Sequence, residues 1–310
     1  QKSKARSIVL RNNGIKKRYY AINKEGESTH SNAELTALAI EALFDRSFTK
    51  DDIELLACGT TSPDQLLPSH AAMVHGLLGC PPVEIISNSG ACNSGMQALK
   101  YAFLSIKSEN TSNAICSGSE KLSTWMHAKN FEKESARLEE LKQNPIIAFE
   151  KEFLRWMLSD GAGAALLQDK PDDKRMSLRI DWFEMTSFAG KIKTCMYAGA
   201  EKNNHGDLLP WRDMNADEIS DKSIFSLKQD VKILGENIVE KGTDFLADII
   251  NKKNFDIEKI DWFLPHLSSN FFRDKIMKSI SSRGINIPAE KWFTNLSEVG
   301  NVGAASAYLM

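Results

Sequence analysis

A chain of 310 residues, 42% apolar and 26% charged, has the make-up of an ordinary globular protein and room for about two domains or one large fold of two halves. Lys plus Arg (39) against Asp plus Glu (41) leaves a formal charge of −2, which argues against a general nucleic-acid backbone binder. No run of about 18 apolar residues exists, so no membrane partner is expected, and the start, QKSKARSIVL, has no apolar core of a secretory leader. Five cysteines without a C-x-x-C pair argue against a disulfide framework or a structural zinc site, and for a reducing, cytoplasmic compartment.

Apolar runs alternate with helical patterns, the signature of a layered α/β fold. A polar cluster at 29–32 precedes an amphipathic stretch that predicts a helix over 33–44. Strands are predicted at 54–59 and 83–87 with a helix over 68–78 between them, followed by a helix over 96–106 and a strand at 113–117. From 122 to 151 the chain is charged and aromatic without a clean period, and reads as an excursion that caps or lines something. Strands are predicted at 161–167 and 176–185, a loop at 203–211, and a long helix over 226–250. A strand at 260–264 and a helix over 272–281 complete the pattern.

The chain also resembles itself. Phe48-Thr49-Lys50-Asp51-Asp52-Ile53-Glu54-Leu55-Leu56 reads like Phe255-Asp256-Ile257-Glu258-Lys259-Ile260-Asp261-Trp262-Phe263. The run from Ser87 to Gly95 has a counterpart from Leu296 to Gly303. Two copies at long spacing indicate a duplicated domain and not a solenoid. Cys92 and Asn301 then hold matching places, each where a strand hands over to a helix through glycines. Open α/β folds place their sites at such strand ends.

Cys92, in Gly90-Ala91-Cys92-Asn93-Ser94-Gly95, is the leading candidate nucleophile. A helix N-terminus favours a thiolate, and small neighbours admit a substrate carbonyl beside a backbone N–H. A buried, inert thiol is the alternative. Cys58 and Cys116 lie in apolar strands and Cys80 precedes a Pro-Pro turn, so these read as core. His266 emerges after Trp262-Phe263-Leu264-Pro265, at the end of a predicted strand, where an acid or base would stand. His70 and His75 are five apart and share no helix face, so no metal pair is expected. Ser159-Asp160-Gly161-Ala162-Gly163-Ala164 lacks the glycines and lysine of a nucleotide loop and reads as a close-packed strand.

Taken together these residues resemble the thiolase superfamily, most closely its β-ketoacyl-acyl-carrier-protein synthase III branch. The motifs, in order, are Asn13-Gly14-Ile15-Lys16-Lys17-Arg18, Gly90-Ala91-Cys92, the 159–164 segment, Pro265-His266, and Gly300-Asn301-Val302-Gly303-Ala304-Ala305-Ser306. The resemblance implies a five-layered fold of two duplicated βαβαβαββ halves, a homodimer, and a Cys-His-Asn triad. One half would be 1–170 with the nucleophile, the other 171–310 with His266 and Asn301, the fold lacking its first and last strands. Cys92 would be acylated by a thioester. A malonyl thioester would then lose CO₂ and condense with the acyl group, its enolate oxygen held by His266 and Asn301.

The same resemblance implies an acyl carrier protein and thioesters of the carrier or of coenzyme A as partners, with no cofactor and no metal. Ser269 and Asn270 follow His266 where the family binds substrate; Ser269 replaces the family's Asn. Ile8 stands where the family's tryptophan stacks on the coenzyme A adenine, which favours a carrier-bound primer. Phe131, Phe149, Phe153 and Trp156 are candidates to line an acyl pocket, and Lys129, Lys133, Arg273 and Lys275 to meet an acidic carrier. Two other readings stay open: a ketosynthase that cyclises two chains into dialkylresorcinol-type products, and a non-catalytic partner subunit, against which the intact Cys92 counts.

Overall fold

The computed structural model describes residues 6–127, 154–174 and 176–310. Its elements begin with α1 (Arg6–Asn13), α2 (Asn32–Glu41), β1 (Leu55–Thr60), α3 (His70–Leu78), β2 (Glu84–Ser89) and α4 (Ser94–Lys107). Next come β3 (Asn113–Glu120), β4 (Gly161–Gln168), β5 (Met196–Tyr197), β6 (Ala200–Lys202), β7 (Leu208–Pro210) and α5 (Ala216–Asp221). They are followed by β8 (Lys228–Gln229), α6 (Val231–Lys253), α7 (Arg273–Ser281), α8 (Leu296–Val299) and α9 (Ser306–Leu309). The chain forms two compact units interleaved in sequence. One holds 17–123, 159–183 and 299–310; the other holds 184–298 with the described parts of 1–16 and 124–158.

The first unit is built on a four-stranded sheet in the order β2-β1-β3-β4. Strand β1 runs parallel to β2 and to β3, and β4 closes the edge antiparallel to β3. Every residue of β1 is buried, as a central parallel strand requires. Its side chains alternate between two cores. Leu56 and Cys58 pack with Ala33, Ala37 and Ile40 of α2 and Val74 and Leu78 of α3. Leu55 and Ala57 pack with Ala98 and Ala102 of α4. Helix α2 starts at a capping box, with Ser31 N–H on Glu34 Oε2 at 2.6 Å and Glu34 N–H on Ser31 Oγ at 3.1 Å.

Glycines let a further segment lie against this sheet. A Cβ on Gly118 of β3 would stand 2.1 Å from Ala304 O, and one on Gly163 of β4 would stand 2.5 Å from Tyr308 Cβ. The small residues of 161–167 therefore serve close packing, as their composition suggests.

In the second unit, α6 and α7 enclose Ile280, Ile285, Ile287 and Trp292, with Leu246, Ile250, Phe263 and Ile276 around them. Arg283 ties the two helices by reaching Glu240 and Asp244, each at 2.6 Å.

Two expected strands do not form as strands. Among the described residues, segment 260–264 pairs only through a bridge between Phe263 and Trp292, whose rings meet edge-on with centroids 4.8 Å apart. Segment 176–185 joins no ladder among the described residues, and Met176 and Leu178 are 89% and 84% exposed. Alternating apolar residues supply one face of a strand, whereas the strand itself needs a neighbour's N–H and C=O groups. The expected loop at 203–211 in turn contains β7, which pairs with β6 as a hairpin.

The self-similarity is visible in local structure. Thr49 and Asp256 each cap a short 3-10 turn, Lys50–Asp52 and Ile257–Lys259, before an extended residue. Most of the 122–151 stretch lies outside the described residues, with Phe131, Phe149, Lys129 and Lys133, as does Phe153. Among the described residues no helix is long and apolar enough to cross a membrane.

Candidate active site

Cys92 stands in the turn between β2 and α4, half-buried, two residues ahead of the helix. Ser94 N–H closes the turn on Ala91 O at 2.9 Å, and Asn93 at the N-cap makes no side-chain bond to the helix. The turn is held from beneath by backbone contact. A Cβ on Gly59, in β1, would lie 2.2 Å from Ser94 O. Burial pushes the Cys92 thiol up to about 12, and the Glu120 carboxylate adds to the shift. This overturns the expectation of a thiolate stabilised by the helix: desolvation and a buried carboxylate outweigh the turn's amide. Cys58 and Cys116 are buried among apolar side chains and raised to about 12 by the same desolvation, as expected of core thiols.

Asn301 belongs to the same unit as Cys92 and is 2% exposed. Its backbone oxygen accepts from Ser159 N–H at 2.9 Å, and its Oδ1 accepts from Gly303 N–H at 3.0 Å. An N–H needs an acceptor, so this bond assigns the orientation of the amide. Nδ2 is left without a partner among the described residues, ready to donate. The Asn301 loop lies against the Cys92 turn. A Cβ on Gly95 would be 2.1 Å from Ala304 O, and Tyr308 donates its hydroxyl to Gly95 O at 2.8 Å.

Glu120, at the end of β3, is a functional candidate that sequence reasoning missed. It is fully buried, and burial raises its pKa against the hydrogen bonds that lower it. Oε1 accepts from Thr61 Oγ1 at 2.5 Å, Thr61 N–H at 3.2 Å and Ala304 N–H at 3.1 Å, while Oε2 accepts from Ser62 Oγ at 2.7 Å. The signal available was one acid ending an apolar strand, which reads as an ordinary turn residue.

His266 belongs to the other unit, shortly after the Phe263 bridge and ahead of the Asn270–Phe272 turn. The residue is exposed, yet the protein around its ring disfavours the cation and lowers its pKa, so the imidazole is neutral at pH 7. Its ring makes no hydrogen bond among the described residues. Ser269 is 1% exposed, and its hydroxyl caps the next turn through Phe271 N–H at 3.3 Å. Asn270 is exposed and packs under the Asn13-Gly14 turn, where a Cβ on Gly14 would lie 2.6 Å from Asn270 Nδ2. Trp156 is half-buried, its backbone oxygen accepting from Asn13 Nδ2 at 2.9 Å. Arg273 is half-buried, and exposed Lys275 holds Nζ 3.9 Å from the Phe271 ring centre.

Comparison with known proteins agrees with the fold. Residues 42–173 match the model of the β-ketoacyl synthase N-terminal domain. A β-ketoacyl-acyl-carrier-protein synthase III of Clostridium perfringens is 27% identical over 293 residues, covering 94% of this chain and 76% of the relative. One of Limosilactobacillus reuteri is 28% identical over 259 residues, covering 82% of this chain and 66% of the relative. Among solved structures, AbyA1, a tetronic acid condensing enzyme, superposes with a TM-score of 0.68 at 18% identity over 96% of this chain and 78% of its own. The 3-oxoacyl-acyl-carrier-protein synthase III of Aquifex aeolicus gives 0.64 at 21% identity over 98% and 80%.

Fold, motifs and relatives thus make the chain similar to the thiolase-superfamily condensing enzymes. Among them these sequence relatives are β-ketoacyl-acyl-carrier-protein synthases III, and the chain is similar to both.

Proposed function

We propose that Cys92, His266 and Asn301 together carry out acyl transfer followed by decarboxylative condensation. The observation that supports this most directly is the packing of the Asn301 loop on the Cys92 turn, with Asn301 Nδ2 unpartnered among the described residues. With the thiol raised to about 12, only on the order of one molecule in 10⁵ carries a thiolate at pH 7. Acyl transfer is therefore coupled to proton transfer. The sulfur bonds to the acyl carbon, the donor's C–S bond breaks, and the thiol proton passes by way of the neutral His266 imidazole to the departing thiolate.

A malonyl thioester then loses CO₂, and the electron pair of the broken C–C bond becomes an enolate. Hydrogen bonds from His266 and Asn301 Nδ2 stabilise its oxygen, a contribution of about a hundredfold to a thousandfold per donor. The enolate carbon attacks the acyl-Cys92 carbonyl, the C–S bond breaks, and the returning sulfur takes a proton as the β-ketoacyl thioester leaves. Donor and extender are, in this reading, thioesters of an acyl carrier protein, met by Lys275 and Arg273, with Asn270 beside the pantetheine arm. The working state is a homodimer in the cytoplasm.

Intact-protein mass spectrometry after mixing with acyl-carrier and acyl-coenzyme A donors tests the reading. Wild type should gain one acyl mass and Cys92→Ala none. A wild-type chain that takes up no acyl group, while a control synthase does, ends it and favours a non-catalytic partner role.

A further inference from the structure

The Glu120 carboxylate is engaged at both oxygens by four donors, all of them neutral. Two come from Thr61 and one from Ser62, just past the end of β1, so the carboxylate joins the ends of the two central strands. The fourth is Ala304 N–H, 184 positions away in sequence and three residues past Asn301. The carboxylate fills the space beside Gly303 so closely that a Cβ there would lie 2.7 Å from Oε1. Gly303 has a positive φ of 50°, so backbone geometry and space both exclude a side chain at this place. Two successive amides are thus fixed by side chains: Gly303 N–H by Asn301 Oδ1, and Ala304 N–H by Glu120 Oε1.

Burying a carboxylate without a cation among these four donors is costly, and polar turns of neutral residues would satisfy the same amides more cheaply. We propose that Glu120 is a positioning residue for the condensing reaction: by clamping Ala304 it holds the backbone from which Asn301 aims its carboxamide. This rests on the function proposed above and assigns Glu120 to one half of it. Asn301 serves the enolate, so the clamp matters for decarboxylation and much less for the attack of Cys92 on the acyl donor.

The test separates the two half-reactions in the intact protein. Acyl uptake by Cys92 is followed by mass spectrometry, and CO₂ release from a malonyl thioester is followed on the acylated enzyme. In Glu120→Ala, acyl uptake should not fall below about a third of the wild-type rate, since loss of the charge that raises the Cys92 thiol can only favour the thiolate. Decarboxylation should fall at least about tenfold in kcat with little change in KM, approaching the loss of an oxyanion donor. Glu120→Gln keeps an acceptor for Thr61 and Ala304 and offers Ser62 Oγ a donor, so it should restore most of that loss. Hydrogen exchange at the Gly303 and Ala304 amides should quicken in Glu120→Ala and not in Glu120→Gln, independently of activity. Should Glu120→Ala not fold, Glu120→Asp, which keeps the charge but falls one methylene short, carries the same expectations as the alanine variant.

Equal losses in both half-reactions, undiminished decarboxylation, or unchanged exchange at 303–304 overturns the proposal. Failure of wild type to take up an acyl group would instead strike at the function itself, and is read before any variant is compared.

Discussion

Around Cys92, desolvation and the Glu120 carboxylate act in one direction and the backbone amide in the other, and the first two prevail. The Cys92 thiol therefore stays protonated at neutral pH. A raised folded-state pKa means that the thiolate fraction keeps growing up to about pH 12. Alkylation of Cys92 by iodoacetamide, located by peptide mass mapping, should rise about tenfold per pH unit from 7 to 10 without levelling. A plateau below pH 9 would mean that the helix start lowers the thiol after all. The strand, glycines and helix around Cys92 were legible in the sequence, whereas Asn301 follows helix α8 and not the strand that the repeat implies. Glu120 was not legible, since its defining partner, Ala304, is remote in sequence and its burial follows only from the packed sheet.

At the scale of elements, the glycines divide into those that permit contact and those that merely loosen a helix. Gly118 in β3 has Ala304 O where its Cβ would be, at 2.1 Å, whereas Gly76 in α3 has nothing within 4 Å. Gly118→Ala should destabilise by about 1–3 kcal/mol or more through overpacking against backbone. Gly76→Ala should stabilise by up to about 1 kcal/mol from helix propensity. Urea unfolding of the two variants checks the contrast; equal effects would show that the close approach is not maintained in solution. The same distinction explains which elements the pattern reveals. Strands β1 to β4 pair in one sheet, and helices α2 to α4 bury their apolar residues against its two faces. Segments 176–185 and 260–264 carry comparable apolar runs, but no ladder forms on them among the described residues.

For the molecule as a whole, one buried histidine gives stability a marked acid dependence. His70 is 4% exposed, with Nε2 shared between Thr36 Oγ1 and Ser119 Oγ at 3.2 Å each, and burial lowers it to about 4, the Asp64 charge opposing. A depressed folded value means that the unfolded chain binds the proton first. This contribution is complete above about pH 6.5 and is lost as pH falls towards 4. Glu120, raised by burial, works in the opposite sense, so the His70 part is isolated by substitution. His70→Gln keeps a polar group near Thr36 and Ser119 without the titration. The drop in unfolding free energy between pH 7 and pH 5 should be smaller in that variant by about 2 kcal/mol. An identical drop in both proteins would refute the assignment.

The bond between Glu120 and Ala304 also has a temporal meaning. During synthesis at about 5–20 residues per second, the acid leaves the ribosome on the order of ten seconds or more before the amide that answers it, 184 positions later. Throughout that interval the carboxylate has only its three donors from Thr61 and Ser62, and lacks the fourth. The loop that carries Asn301 is thus secured against the strand ends only after all of the chain between them has been made.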